Sequence, residues 1–225
     1  AAFVGACCSG AVRRAATGSS SDSLAAFNPM DFVISSGWFS HNMISDQSVC
    51  KGSSPERSTT VVLIGMRGAG KTTLGRGASA ALGFDFEDLD KTLEEDVGMT
   101  CRDFVAAHGW EAFRSKELEM LRSALASRGS GRFHGRVLAC GGGVVESAHA
   151  MRLLRAWRGG SVVWIDRPID AIAAAFGGEN GRPWGGLDEA KLREMFARRK
   201  PLYKQACDHR LAVSPCCDAA TATVD

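Results

Sequence analysis

The sequence predicts an α/β fold in which a parallel β-sheet is covered by helices on both faces. From residue 59 onward, short apolar runs rich in β-branched residues alternate with longer segments of helical periodicity. The strand segments are apolar along most of their length, as in strands that are buried on both faces. A glycine-rich turn joins the first strand to the first helix. These patterns are typical of parallel strands connected by helices.

The predicted elements follow one another in regular order. The strands cover residues 59–64, 84–87, 136–140, 161–165 and 210–214. The helices cover residues 71–82, 91–97, 102–108, 110–127, 147–157, 167–176 and 188–206. Thr100 and Asp103 have the spacing of a helix N-cap, which supports the helix start predicted at residue 102.

Residues 1–58 differ in composition from the rest of the chain. They are rich in Ser, Ala and Gly and show no sustained periodicity, so we expect an extension that is poorly ordered. The first 21 residues contain Arg13 and Arg14 but no acidic residue, a composition typical of an organellar transit peptide. A linker from an upstream domain is the alternative. The predicted organisation is therefore an extension at 1–58, a folded domain at 59–214 and a tail at 215–225.

Composition excludes several classes of protein. The net charge of +2 gives no reason to expect a nucleic acid or an anionic membrane as a partner. No run approaches the roughly 20 apolar residues that span a bilayer. The eight cysteines form no CxxC pair, which disfavours a zinc site and favours reduced thiols in an intracellular compartment.

A nucleotide-binding motif follows the first strand. The segment 65–72, GMRGAGKT, matches GxxxxGK[ST], and it lies between an apolar strand and a helix. Lys71 is expected to reach the β- and γ-phosphates of ATP, and Thr72 to ligate Mg²⁺. A glycine-rich turn with a chance lysine is the alternative that this context disfavours. The residues predicted to bind ATP are Gly65, Gly68, Ala69, Gly70, Lys71, Thr72 and Thr73.

Two carboxylates follow the second strand. Asp88 and Asp90 flank Leu89, and residues two apart in an extended segment point the same way. Ligands of such sheets bind at the carboxyl ends of the strands. One carboxylate could hold Mg²⁺ through water while the other accepts a proton from an acceptor hydroxyl. A pair of ordinary helix-capping acids is the alternative.

Three arginines and a glycine run suggest the chemistry of the acceptor. Arg114 lies on a predicted helix, Arg182 lies in a glycine-rich stretch flexible enough to close over a substrate, and Arg199 lies near the end of the last helix. Each arginine alone is more often a surface residue. Together with Gly141–Gly143 they favour an acceptor that carries both a carboxylate and hydroxyl groups.

Six motifs in this order and spacing resemble the shikimate kinases. They are the P-loop, Asp88–Asp90, Phe113-Arg114, Gly141–Gly143, Arg182-Pro183 and RRKPLY at 198–203. The residues of several motifs are most similar to those of the shikimate kinase domain of the pentafunctional AROM polypeptide. The resemblance covers about residues 59–214 and implies a nucleoside-monophosphate-kinase-like three-layer sandwich.

The resemblance also implies a reaction and a role for each residue. The reaction is phosphorylation of the 3-hydroxyl of shikimate by ATP with Mg²⁺. Lys71, Asp90 and Arg182 would be catalytic, and Thr72 and Asp88 would hold the metal, Asp88 through water. Shikimate would be bound by Asp90, Arg114, Gly142, Gly143 and Arg199. A kinase of another small hydroxy acid such as gluconate and a weakly active binding module are the alternatives.

The resemblance has further implications and one departure. It implies other shikimate-pathway domains as partners in one polypeptide and a cytoplasmic location, with plastid import as the alternative. Many members of the family place an arginine against the adenine just before the glycine-rich stretch. This chain has Ala173-Ala174-Ala175-Phe176 there, with Phe176 as the candidate to stack on the base.

Overall fold

A six-stranded sheet forms the centre of the molecule. The computed structural model describes residues 60–127, 135–177 and 188–213 and the backbone of 222–224. The strands lie in the order β2-β3-β1-β4-β5-β6. The first five are parallel, and β6 runs antiparallel to β5. Their bounds are β1 Thr60–Ile64, β2 Asp85–Asp88, β3 Arg136–Ala139, β4 Gly160–Asp166, β5 His209–Val213 and β6 Ala222–Val224.

Helices connect the parallel strands, as the sequence predicts. The first helix has the predicted bounds, and it ends at Gly83, whose positive φ of 68° suits a glycine C-cap. Thr100 accepts a hydrogen bond from the backbone amide of Asp103, which confirms the predicted cap. The helices are α1 Lys71–Leu82, α2 Leu89–Val97, α3 Cys101–Ala126, α4 Ala148–Ala156, α5 Ile169–Gly177 and α6 Glu189–Ala206.

The central strand shows why the sheet is covered on both faces. Successive residues of β1 point to opposite faces. Val61 and Leu63 pack into one apolar cluster with residues of α1 and α5, whereas Val62 and Ile64 pack into another with residues of α3 and α4. All four side chains are at most 3% exposed, and burying each stabilises the fold by roughly 1.5–3 kcal/mol. The predicted three-layer α/β fold is confirmed.

The register brings the carboxyl ends of four strands to one edge. Asp88 of β2 is level with Ala139 of β3, and Ala139 is level with Leu63 of β1. Ile64 of β1 is in turn level with Trp164 of β4. The segments that follow β1, β2 and β3 therefore meet at this edge.

The structure corrects one detail of the prediction and confirms another. Strand β2 ends at Asp88 and helix α2 begins at Leu89, so Asp90 lies in the first turn of a helix. The argument that Asp88 and Asp90 share a direction because both are extended is therefore wrong. Gly109, whose φ of 81° and ψ of 170° are not helical, separates the helices predicted at 102–108 and 110–127, and the two together form α3.

Two elements were not predicted, and some predictions lie outside the described residues. A 3-10 helix at Val144–Glu146 follows the glycine run, and β6 lies in the segment expected to be a tail. The extension at 1–58 and the site residue Arg182 lie outside the part of the chain that the structure describes. Within that part, none of the helices has the length and apolar character needed to cross a membrane.

Candidate functional site

A cavity of about 450 Å³ opens at the edge where the strands end. Its walls come from the P-loop, α2, α3, the glycine run after β3 and α6. It brings together most of the residues predicted from the sequence, and it adds further charged residues to them. The charged side chains that line it are Arg67, Lys71, Asp88, Asp90, Glu94, Arg102, Arg114, Glu117 and Arg199.

The P-loop has the backbone that its glycines predict. Gly65, Gly68 and Gly70 have φ values of 147°, 80° and 97°, a region that residues with a side chain rarely adopt. Gly70 is the N-cap of α1 and provides no side-chain cap, so the amides of the first turn remain available to an anion. Gly68, Lys71 and Thr72 line the cavity, whereas the other predicted ATP-binding residues do not.

Lys71 lies where the P-loop, β2 and the glycine run converge. Its ammonium donates to the carbonyl oxygens of Gly65 at 2.9 Å and Met66 at 3.0 Å. Burial lowers the pKa of Lys71, while the neighbouring carboxylates of Asp90 and Asp88 act to raise it. Lys71 is thus a buried cation that interacts with the carboxylates of Asp88 and Asp90.

Thr72 and Asp88 form a direct contact. The Thr72 hydroxyl donates to Oδ2 of Asp88 at 2.7 Å. Asp88 occupies the N-cap position of α2, but its side chain makes no capping hydrogen bond. The alternative that Asp88 is an ordinary capping acid therefore does not hold, because its carboxylate turns to the P-loop.

The donor set of this pair fits Mg²⁺. Mg²⁺ prefers oxygen ligands, keeps several waters and commonly binds to one or two side chains together with substrate phosphates. A threonine hydroxyl beside a carboxylate supplies such oxygens. Among the residues of known placement, no group of three or more His, Cys, Asp or Glu side chains is arranged to hold a metal ion. A metal at Thr72 and Asp88 would therefore take its remaining ligands from water and phosphate.

Asp90 lies in the first turn of α2 and lines the same cavity. Burial raises the pKa of its carboxyl, and the charges of Asp88 and Glu94 raise it further. Lys71 and Arg114 oppose this effect. A carboxylate with a raised pKa is better suited to accept a proton near neutral pH than an exposed aspartate.

The glycine run after β3 packs closely against the protein's own side chains and backbone. A methyl carbon at Gly141 would lie 2.6 Å from oxygens of both Asp90 and Glu117. At Gly142 it would lie 2.9 Å from the backbone nitrogen of Arg67 in the P-loop, and at Gly143 it would overlap the guanidinium of Arg114. None of the three glycines has a positive φ. A side chain at Gly142 would therefore collide with backbone, whereas one at Gly141 or Gly143 would displace the charged ends of Asp90, Glu117 or Arg114.

Two of the predicted arginines meet across the cavity. Arg114 of α3 donates to Glu117 at 2.6 Å and to Glu146 at 3.1 Å. Arg199 of α6 donates to the same oxygen of Glu146 at 2.6 Å, and its side chain is only 8% exposed. Burial alone would raise the pKa of Glu146, but hydrogen bonds from Arg199 and Arg198 lower it to about 2.

Two buried polar atoms of this cluster have no partner among the described residues. They are Oε1 of Glu117 and Nε of Arg199, and both side chains line the cavity. An unpaired buried polar atom costs about 1–3 kcal/mol. A ligand that offers a hydroxyl donor to Glu117 and an acceptor to Arg199 would satisfy both atoms.

Sequence reasoning missed three residues of this site. Glu117 lies three positions after Arg114 on one helix, a spacing that could have indicated the pair. Tyr203 is fully buried, stacks on Trp164 and donates to the carbonyl of Gly142 at 2.5 Å. Glu146 carries no local signal, because its partners lie on other elements.

Phe176 does not present a surface to a base. Its side chain is 5% exposed and belongs to the apolar cluster that includes Leu74 and Ile172. A methyl carbon at Gly68 would lie 2.7 Å from its ring, and the guanidinium of Arg67 lies 5.6 Å from the ring centroid. The interpretation of Phe176 as a base-stacking residue is wrong, because the ring is buried and packs against Gly68 of the P-loop.

The chain is similar to one family along most of its length. The family model described as shikimate kinase matches residues 67–220. Over 179 residues the chain is 36% identical to the pentafunctional AROM polypeptide of Yarrowia lipolytica. That match covers 79% of this chain and 11% of the polypeptide, so the chain spans about a tenth of the length of such relatives.

Two solved structures are similar in fold. One is a shikimate kinase from Acinetobacter baumannii in complex with shikimate, with a TM-score of 0.62 and 29% identity over 73% of this chain and 88% of the other. The second is a shikimate kinase from Bacteroides thetaiotaomicron, with a TM-score of 0.57 and 27% identity over 66% of this chain and 83% of the other.

Proposed function

This chain belongs to the shikimate kinase family, and we propose that it transfers the γ-phosphoryl group of ATP to the 3-hydroxyl of shikimate. The products would be ADP and shikimate 3-phosphate, in a step of chorismate and aromatic amino acid biosynthesis. Other shikimate-pathway domains are proposed partners, because the AROM relatives are pentafunctional. The cytoplasmic location that the resemblance implies, with plastid import as its alternative, stays a prediction.

One observation carries the proposal. A P-loop and a pair of arginines face the same cavity, and Asp90 lines it and interacts electrostatically with both Lys71 and Arg114. Arg114 and Arg199 share one carboxylate oxygen of Glu146, so they are already close enough to hold one carboxylate group between them. An acceptor with a carboxylate at the arginines and a hydroxyl at Asp90 fits this arrangement, and shikimate has both groups.

The chain's own residues suggest how the transfer proceeds. Asp90 would accept the proton of the 3-hydroxyl as that oxygen forms its bond to the γ-phosphorus and the bond to the ADP oxygen breaks. Lys71 would turn from the carbonyls of the P-loop to the β- and γ-phosphates and offset their charge. The amides at the start of α1 would hold the phosphates in line. Most of the catalysis would therefore come from position and charge.

Mg²⁺ and Arg182 complete the proposal. Thr72 and Asp88 would hold the metal, Asp88 through water, and the ion would supply positive charge to the phosphate oxygens. Arg182 is proposed to close over the phosphates, on the evidence of the sequence resemblance alone.

The test is steady-state ADP release with ATP and Mg²⁺, with and without shikimate. Shikimate-dependent turnover is expected, and Asp90→Asn should abolish most of it because the general base is lost. Arg114→Ala should raise the KM for shikimate about 10- to 100-fold, since a charge-assisted hydrogen bond is worth about 1.5–3 kcal/mol. The KM for ATP should change little.

Arg122→Ala is a matched control, because Arg122 is an exposed arginine on the same helix. It should leave both KM values unchanged. A wild-type protein that releases no more ADP with shikimate than without it refutes the proposal. Faster turnover with gluconate than with shikimate would identify the acceptor as another hydroxy acid.

A further inference from the structure

Glu146 lies at the junction of three elements of the acceptor site. It ends the 3-10 helix that follows the glycine run, and it faces α3 and α6. Its Oε2 accepts from Arg114 of α3 at 3.1 Å and from Arg199 of α6 at 2.6 Å. Its Oε1 accepts two hydrogen bonds from Arg198, at 2.6 and 3.1 Å. One carboxylate therefore binds three guanidinium groups.

The two inner arginines need a counter-ion to lie so close together. Both donate to a single oxygen, and like charges at such a separation repel strongly in a partly desolvated site. Glu117 does not perform this role, because it contacts Arg114 but makes no hydrogen bond to Arg199 among the residues the structure describes. Within the described ranges, Glu146 is the carboxylate that accepts hydrogen bonds from both arginines.

The two arginines keep hydrogen-bond donors that Glu146 does not use. Each guanidinium has five N–H donors in a planar fork. Arg199 uses its terminal nitrogen for Glu146, while its buried Nε has no partner among the described residues. Arg114 uses one N–H of each terminal nitrogen for Glu117 and Glu146. Donors that Glu146 does not use would therefore remain for a second carboxylate.

We propose that Glu146 is a positioning residue that holds Arg114 and Arg199 in the arrangement that binds the carboxylate of the acceptor. The proposal rests on the proposed function, since it assumes that these arginines bind shikimate. Glu146 would not contact the acceptor itself. Its effect would appear in substrate affinity and not in the rate of phosphoryl transfer.

The test is Glu146→Gln, which keeps the shape of the side chain and removes its charge. We expect the KM for shikimate and its calorimetric Kd to rise about tenfold, as is typical when a residue that orients a binding group is changed. The value of kcat and the KM for ATP should stay within about twofold of the wild type. The split between KM and kcat separates positioning from a general loss of structure.

A matched control and a second variant accompany this test. Glu189→Gln removes a Glu–Arg pair of similar length, 2.7 Å to Arg193, from an exposed part of the same α6 helix. It should change neither KM. Arg198→Ala removes the exposed partner that holds Oε1, so it should raise the KM for shikimate in the same direction by a smaller factor. This variant tests the proposal even where Glu146→Gln fails to fold.

A neutral ligand provides the decisive comparison. The carboxamide analogue of shikimate lacks the charge that the arginines bind. The Kd of the carboxamide should therefore be the same for Glu146→Gln as for the wild type. Equal weakening of shikimate and of the carboxamide, or an unchanged Kd for shikimate, would overturn the positioning role. A wild-type protein that binds ATP but not shikimate would instead overturn the proposed function, and the two failures are thus distinguishable.

Discussion

Replacing Gly143 by alanine should weaken the acceptor half of the site, which contains Arg114 and Arg199, and leave the nucleotide half at the P-loop intact. Gly143 has φ −100° and ψ 0°, a conformation open to alanine, so the backbone itself is not strained. The added methyl carbon would lie 2.7 Å from Cζ of Arg114 and would overlap its terminal nitrogens. The guanidinium must therefore move away from the glycine run.

The size of the effect follows from the contacts that Arg114 makes. Moving the guanidinium disturbs its bonds of 2.6 Å to Glu117 and 3.1 Å to Glu146 and misaligns it with an acceptor carboxylate. Loss of one charge-assisted hydrogen bond costs about 1.5–3 kcal/mol, which corresponds to a rise of about 10- to 100-fold in the KM for shikimate. The KM for ATP should change little, because the hydrogen bonds of Arg114 go to Glu117 and Glu146 and not to the P-loop.

The neighbouring glycine supplies the comparison. A methyl carbon at Gly142 would lie 2.9 Å from the backbone nitrogen of Arg67, and the P-loop backbone cannot yield by a side-chain rotation. Gly142→Ala should therefore raise the KM for ATP. Steady-state kinetics with each substrate varied in turn distinguishes the two variants. If Gly143→Ala raised the KM for ATP and left that for shikimate unchanged, the division of the glycine run between the two substrates would be wrong.

Two further predictions concern pH. Asp90 must be ionised to accept a proton, and the negative charge of Glu94 raises its pKa. Glu94→Gln should therefore move the acidic limb of the kcat/KM profile to lower pH. Glu95→Gln, at the exposed next position, should leave the profile unchanged. The pKa of Glu146 is lowered from 4.5 to about 2, so its contribution to stability is complete above pH 4.5 and is lost as the pH falls toward 2. Because solvent screens the ion pairs of a partly exposed carboxylate, urea unfolding should show Glu146→Gln less stable than the wild type by about 1 kcal/mol at pH 7, with a smaller difference at pH 3. A difference independent of pH would contradict the lowered pKa.

Local signals explain what the sequence could predict. The bounds of α1 follow from Gly70 and Gly83, whose positive φ values of 97° and 68° mark its two ends. The five parallel strands follow from apolar runs that both faces of the sheet bury. The sequence predicts correctly that Asp90 lies at the edge where the strands end, but it assigns Asp90 an extended backbone, which is wrong. Local sequence does not define the boundary between a strand and a helix to a single residue.

Contacts between distant segments explain what the sequence could not predict. Glu146 contacts Arg114, 32 positions away, and Arg199, 53 positions away. Nothing in the pattern around Glu146 distinguishes it from an exposed glutamate. The sequence predicts that the three glycines leave space for a ligand. In the structure the space beside them is occupied by Asp90, Glu117, Arg114 and the P-loop backbone. Packing within the protein is therefore sufficient to explain the glycines, and their contact with a ligand stays a prediction.

The contacts also imply that the two halves of the site are coupled. Lys71 of the nucleotide half raises the ionised fraction of Asp90, and Arg114 of the acceptor half does the same. Tyr203, just beyond Arg199 on α6, holds the carbonyl of Gly142, the residue that packs against the P-loop. Because each half contributes to the charge or the placement of the other, substitutions in the two halves should not be additive. The coupling energy between Lys71 and Arg114 is obtained from a double-mutant cycle. It should be measured with ATP and shikimate both present, because each substrate changes the charges that act on the residues of the other half.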